Sequence, residues 1–450
     1  MNCRALLYAT CLSASFLVTE LAQADQTNNA PYTIDLATTL RLAGAQNLDV
    51  QIARERLKEA EAKHSSAIEQ FLPSISPGIG FHRRDGVAQA VPSGVISDAH
   101  FQSYSPGATI AAQITFGDAL YNSLSAKQLV KASDQALQAQ RQDSALAAAQ
   151  AYFDLAKAKA LVDVVTQAID ISRSYQQQLR VAVESGVAFK GDELRVQTQT
   201  EHYEITLQQA VEQQRVSAAT LAQVLHLDST IELVPQESEL VPITLVDTNL
   251  ALDTLITQAL KARPELRQGD SLIAAAKATQ NGAVYGPLIP SLGAQVFGGG
   301  LGGGPDGGHA TFAGEADYTV GLSWKIGPGG LFDRGRIHTS EAQLATIRLS
   351  NLKLKDSITA EIVVSLARMR STSAQIDLAK RNLETSEEML RLTSERKQFG
   401  VGVVLEDIET QGALNQAQSD YITAVAEYNK AQYRLNRALG NPFNETTTGR

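Results

Sequence analysis

Cysteine is confined to the leader of this 450-residue chain, at Cys3 and Cys11. No disulfide can staple the remainder, even in an oxidising compartment, so stability has to come from packing. Aromatic residues are scarce, at 6% with a single tryptophan, while alanine and glutamine are plentiful. Beyond the first residues no stretch approaches the ~20 consecutive apolar positions that a transmembrane helix needs. A membrane location would therefore require a barrel. The seven histidines are scattered, with neither H-E-x-x-H spacing nor a cysteine partner, which removes the usual zinc sites. A G-x-S-x-G elbow is missing as well, and Met369 and Met389, the only methionines after the start, make no soft-metal array. The glycines from Gly298 to Gly308 follow a strand, but no helix opens directly after them, so they read as a flexible loop rather than a phosphate cradle. A formal charge of -9 argues against nucleic acid as a partner. These absences leave no enzyme class, no cofactor and no metal to expect.

What is present begins with an export signal. Arg4 precedes an apolar run from Ala5 to Val18, and Ala22-Gln23-Ala24 has the A-x-A form of a cleavage site, so residues 1–24 read as a signal peptide. Tyr8, Ala9 and Thr10 form a poor lipobox before Cys11, which argues against lipidation there.

The chain is one unit written twice. Leu72-Pro73-Ser74-Ile75 answers Ile289-Pro290-Ser291-Leu292, Thr115-Phe116-Gly117 answers Lys325-Ile326-Gly327, Gly186-Val187 answers Gly400-Val401, and Asp192 answers Glu406. The offset stays at roughly 210 to 217 residues, as a duplication requires. The repeats span 31–227 and 251–440. Residues 228–250, with Pro235 and Pro242, read as a linker, and 441–450 as a flexible tail.

Each repeat has the order helix, two strands, very long helix, helix. Helices are expected near Asp35 to Gln70, Ala119 to Glu184 and Asp192 to His226, then near Ala251 to Gly282, Leu331 to Phe399 and Glu406 to Leu439. The longest would reach roughly 100 Å at ~1.5 Å per residue, too long for a compact domain. A seven-residue rhythm marks side-by-side packing. Met369, Ile376, Leu383 and Leu390 are each followed three positions later by a small residue, Thr372, Ala379, Ser386 and Thr393. Leu414, Tyr421, Tyr428 and Leu435 repeat the scheme with Ala417, Ala424, Ala431 and Ala438. An ordinary antiparallel bundle would show the same heptads.

The segments between helices alternate with period two. Tyr318, Val320, Leu322, Trp324 and Ile326 share one face; Ile79 with Phe81, and Ile110 with Ile114, form matching faces elsewhere. Such faces suit lipid, with polar residues turned to a lumen. The intervening segments, roughly Arg84 to Tyr104 and Gly298 to Gly314, read as extracellular loops. Four strands cannot close a barrel, and an open edge in lipid leaves amides and carbonyls unpaired, so the chain must oligomerise. Three copies give twelve strands, although counting alone also admits two or four.

This organisation, together with Ala262-Arg263-Pro264-Glu265-Leu266, the Leu72-Pro73 and Ile289-Pro290 after each repeat's first helix, Trp324 leading into Gly327-Pro328-Gly329-Gly330 and the Gly-Val helix turns, resembles the TolC family of outer-membrane efflux proteins over nearly the whole mature chain. The resemblance implies a mainly α fold with β: a long antiparallel α-helical barrel, or tunnel, plus four strands per chain in a trimeric twelve-stranded transmembrane barrel. It implies a passive exit duct of a tripartite efflux pump or type I secretion system, in the outer membrane with most of its helical part in the periplasm. The implied partners are outer-membrane lipid, a periplasmic adaptor and an inner-membrane pump of the RND or ABC type. By position, Gly186, Val187, Gly400, Val401 and Gly402 match the turns that meet the adaptor, and Glu406 and Glu409, with Asp192, match an acidic ring at the periplasmic aperture. Each has a plainer reading: a turn glycine caps a helix, and acids near a helix start complement its dipole. Some relatives carry a basic residue where Gly402 stands. The rival functions are a trimeric surface-anchored coiled-coil adhesin, which normally keeps its strands at one chain end, and a structural periplasmic protein.

Overall fold

The computed structural model describes residues 32–89, 93–237, 239–247, 250–305, 311–398 and 404–443. The leader 1–24, the turn Gly400-Val401-Gly402 and most of the tail lie outside them. The chain runs β1 (Tyr32–Ile34), α1 (Leu36–Gln46), α2 (Leu48–Glu69), β2 (Ser74–Gln89), β3 (Ile96–Thr115), α3 (Phe116–Glu184), α4 (Lys190–Leu225), β4 (Leu233–Pro235), α5 (Leu252–Ala262), α6 (Pro264–Tyr285), β5 (Ser291–Pro305), β6 (Thr311–Ser323), α7 (Arg334–Gln398) and α8 (Val404–Ala438). A short 3-10 turn, Gly286–Leu288, precedes β5.

The first helix expected in each repeat is two helices. Asn47 leaves the helical region (φ -56°, ψ 130°) and its Oδ1 accepts from the amides of Asp49 at 2.9 Å and Val50 at 3.3 Å, ending α1 and capping α2. Arg263 likewise leaves the helical region in the second repeat (φ -60°, ψ 123°) but caps through no side-chain bond; the break arises because Pro264 disfavours helical geometry in the residue before it and is itself suited to a first helical turn.

The strands are longer than the sequence suggests, with 16, 20, 15 and 13 residues in β2, β3, β5 and β6. They form one antiparallel sheet in the order β2-β3-β5-β6. Much of both expected loops is therefore strand. The glycines from Gly298 to Gly304 belong to β5, where rings from neighbouring strands occupy the space left at two of them, Gly300 and Gly302. A Cβ on Gly302 would lie 2.5 Å from the Tyr104 ring, and one on Gly300 2.2 Å from that of Phe312. Those two rings stack with centroids 6.2 Å apart. Aromatic cover of this kind restores packing that a glycine strand lacks.

The helices repeat the order of the strands. Next to the sheet, α2 packs on α3, α3 on α6 and α6 on α7; farther away α3 and α7 pack on α4 and α8, and α3 also meets α8. The result is a wall of antiparallel helices continuing the sheet. Small residues make the close contacts: Ala417, Ala424, Ala431 and Ala438 of α8, and Thr372, Ser386 and Thr393 of α7, are buried, whereas Ile376, Leu383 and Leu390 are only partly covered. Midway along lies a belt with two apolar cores, one around Leu36, Phe153, Leu225 and Tyr433, the other around Leu255, Ile362, Met369 and Leu435. The residues read as a linker contribute β4, which pairs in parallel with β1. Their backbone is then fixed by side chains of α8: Asn429 accepts from the Ile243 amide at 2.8 Å, and Gln432 from that of Val246 at 3.0 Å.

Candidate functional site: the helical tip and the sheet face

At the far end of the wall, α3 turns into α4 through Ser185 to Phe189. Gly186 takes φ 72°, its amide donates to the Val183 carbonyl at 3.0 Å, and the Val187 amide donates to that of Ala182 at 2.9 Å. This is a Schellman turn, so the capping role of Gly186 is met in full. The turn presents Val187, 83% exposed, and Phe189, 75% exposed. The turn is therefore capped and also leaves two large apolar side chains exposed, with Val181 and Leu194 exposed on the flanking helix ends.

The acidic positions are placed differently from one another. Glu406, at the start of α8, is held by Arg396 of α7 at 2.6 Å. Glu409, one turn on, is exposed and has no ion pair among the described residues. Asp192, in the first turn of α4, lies 3.4 Å from Arg195. It also faces Tyr175 of α3, whose phenol donates to Asp407 of α8. Burial raises the Tyr175 pKa, and the charge of Asp407, the bond to it and the charge of Asp192 push it further the same way, so the phenol stays protonated. Tyr175 and Asp407 border a cavity of about 470 Å³ whose lining also includes Tyr203, Leu390, Ile408 and Gln411. Neither residue is legible as a partner in the sequence, because a neutral tyrosine in a helix interior and a second acid beside Glu406 carry no periodic signal; only the meeting of α3 with α8 joins them.

On the sheet, the register puts the expected apolar residues on one face. Ile75 pairs with Ile110, Ile110 with Val296 and Val296 with Tyr318, while Ile79 and Phe81 follow Ile75 at even spacing. Ile79 is 82% exposed, Val320 75% and Phe81 66%, and Tyr318, Leu322 and Ile110 are exposed with them. Ile114 departs from this. It is 9% exposed and stands one residue before β3 ends, where the chain enters α3 and Gly117 packs directly on Gly286. Trp324 and Ile326 lie beyond β6, which ends at Ser323. The Trp324 indole donates to the Leu288 carbonyl at 3.3 Å and Ile326 bridges to Leu331, so both belong to the junction between sheet and helices. Phe332 stands beside them, 80% exposed and at φ 69°. The opposite face is richer in small and polar residues, Ser74, Ser76 and His82 on β2, Thr109 and Gln113 on β3, Gln295 on β5, Asp317 and Thr319 on β6, with Phe101, Phe297 and Leu301 among them.

The Ala262 to Leu266 motif turns out to be structural. Arg263 donates to both Glu265 oxygens at 3.2 Å, to Glu361 at 2.9 Å and to the Ala438 carbonyl at 3.1 Å. Arg437, 3% exposed, joins Glu265 to Asp143. Burial raises the Glu265 pKa, but the bond to Arg437 and the nearby positive charges outweigh it and hold the carboxyl below its usual range. No cluster of three or more metal-ligating side chains occurs among the described residues.

A family model described as "Outer membrane efflux protein" matches residues 39–225 and again 255–441, once per repeat. Nodulation protein T of Rhizobium leguminosarum bv. trifolii is 23% identical over 436 residues, covering 89% of this chain and 84% of the relative. Among solved structures, the CmeC outer membrane channel of Campylobacter jejuni aligns with a TM-score of 0.76 at 15% identity, covering 91% of this chain and 86% of that one. The open-state MtrE outer membrane channel of Neisseria gonorrhoeae aligns at 0.72 and 16% identity, covering 90% and 89%. CusC, whose structures concern folding and transmembrane channel formation, aligns at 0.73 and 16% identity, covering 92% and 94%. With both repeats matched, the chain belongs to the outer membrane efflux protein family.

Proposed function

We propose that three copies of this chain form a passive exit duct through the outer membrane, after cleavage of residues 1–24. The observation that carries the reading is the sheet: four antiparallel strands with β2 and β6 as open edges, one face mainly apolar and exposed, the other mainly of small and polar residues. An open edge cannot persist in hydrocarbon, and three such sheets make a closed barrel of twelve strands. The wall of helices has unmatched edges in the same places. Exposed apolar residues stand along them, Ile52 on α2, Leu194 and Ile205 on α4, Val364 and Leu378 on α7, and closing the ring would cover them.

In this reading the helices continue the barrel as a tunnel. Its Gly186-Val187 turn, together with Gly400-Val401-Gly402, meets a periplasmic adaptor, and an inner-membrane pump of the RND or ABC type supplies the energy. Glu409 of each copy, with Asp192 and Glu406, lines the aperture and favours cations, as carboxylate rings do. The tie between Tyr175 and Asp407 holds α3 to α8 near that end. The mature protein extracted in mild detergent from purified outer membranes should have the mass of a trimer. A monomer recovered in the soluble periplasm would overturn the duct.

A further inference from the structure

The two free edges of the sheet carry opposite charge on the polar face. On β2, His82 and Arg84 share that face with Ser74 and Ser76; on β6, Glu315 and Asp317 share it with Thr319. All four are exposed and none has an ion pair among the described residues; Arg84 reaches only the Val87 carbonyl, at 3.4 Å. Within one chain they stand three strand spacings apart. The residues beside them on the apolar face are already paired, Arg83 with Asp85 at 2.8 Å and His100 with Asp85 at 3.3 Å.

Resting on the trimeric barrel proposed above, we infer that Arg84 and His82 of one copy meet Glu315 and Asp317 of the next, forming a charged seam on the lumen side. Because β2 and β6 run in opposite directions, the β6 edge can accept the next β2 and continue the antiparallel order. Straight across one sheet, Gly78 pairs with Gly107, Gly107 with Gly299 and Gly299 with Glu315, so Glu315 is level with Gly78 of its own chain. A closed barrel adds a stagger. With strands ~4.8 Å apart, tilted about 35–45°, and ~3.4 Å per residue, four strands accumulate about four to six residues. An odd stagger would turn the polar face outward, which leaves four or six. Taken toward the hairpin ends, a stagger of four puts Glu315 opposite His82, with Arg84 on the diagonal. A stagger of six puts Glu315 opposite Arg84 and Asp317 opposite His82. In both, opposite charges become cross-strand neighbours, and the pairing selects this register over slipped ones.

Cysteine pairs in the full chain read the register directly, since Cys3 and Cys11 both lie in the leader. Oxidised trimer carrying Arg84→Cys with Glu315→Cys, or His82→Cys with Glu315→Cys, should yield linked dimers and trimers on a non-reducing gel for one of the two pairs. Linkage instead through Leu72→Cys with Glu315→Cys, or no linkage by either pair while the trimer is intact, overturns the seam. A wild-type protein that is not trimeric would instead remove the reading beneath it. As a second measurement, Glu315→Arg or Arg84→Glu alone should lower the temperature at which the detergent-solubilised trimer dissociates, and the two together should restore it. Equal loss in the double variant also overturns the seam.

Discussion

Residues at the ends of equivalent helices show how one backbone solution is met by different side chains. Both α4 and α8 end in a Schellman turn, with a left-handed residue at His226 (φ 54°) and Gly440 (φ 74°). A left-handed conformation costs a residue with a Cβ roughly 1–2 kcal/mol, and glycine avoids most of that. His226→Gly should therefore raise stability by up to about 1 kcal/mol, read as a higher midpoint in thermal unfolding by circular dichroism. Gly440→Ala should do the reverse by at least as much, because its Cβ would lie 2.9 Å from the Arg263 amide nitrogen as well as in the wrong conformation. Glu265 gives a pH dependence. Its pKa lies lower folded than unfolded, so its stabilising contribution is complete above about pH 4.3 and is lost as pH falls through the folded value. Glu265→Gln should melt at a lower temperature than wild type at neutral pH, with the gap narrowing below about pH 4.

Between elements, small residues set how closely the helices approach. Ala417, Ala424, Ala431 and Ala438 are buried along one side of α8, where a larger side chain would push α7 or α3 away. Ala424→Leu should destabilise by about 1–3 kcal/mol through overpacking, whereas Leu378→Ala, on the uncovered side of α7, should leave the isolated chain's stability nearly unchanged and weaken association between copies. On the sheet, Val320→Lys puts a charge on the apolar face. If that face meets lipid, the cost is about 2–4 kcal/mol near the bilayer midplane, seen as reduced assembly into vesicles; Thr319→Lys, on the opposite face, should assemble as wild type. Equal behaviour of the two would mean that the sheet is not lipid-facing.

For the whole molecule, the strand order β2-β3-β5-β6 and the helix order α2-α3-α6-α7 are the same order. Each repeat contributes half a sheet and half a wall, and the belt of β1, β4 and the segment held by Asn429 and Gln432 ties the halves together. An assembly closed through both sets of edges should conduct ions when reconstituted in a planar bilayer. Glu409→Gln should reduce its preference for cations over anions, while Glu406→Gln should have the smaller effect, since Arg396 already compensates that charge. Unchanged selectivity in both would place the aperture elsewhere.

The sequence by itself determined the repeat, through motif matches at a near-constant offset, and its periodicity determined the four long helices to within a few residues and the two faces of the sheet, because helical and 2-residue spacings are written locally in residues such as Ala417 to Ala438 and Tyr318 to Leu322. It could not show that the glycines of β5 are strand, since what makes them so is the pair of rings, Tyr104 and Phe312, delivered from β3 and β6. Nor could it show that Ile114 is buried, that Trp324 sits past the strand on the Leu288 carbonyl, or that Glu406 pairs with Arg396 of the neighbouring helix. Arg263 and Glu265 could be noticed as a motif, yet their ion pairs to Glu361 and Arg437 join residues about a hundred or more positions apart. Local spacing fixes which face a side chain takes, but contacts between distant segments exist only once the chain has folded, and those contacts decided which acids, rings and edges are free to act.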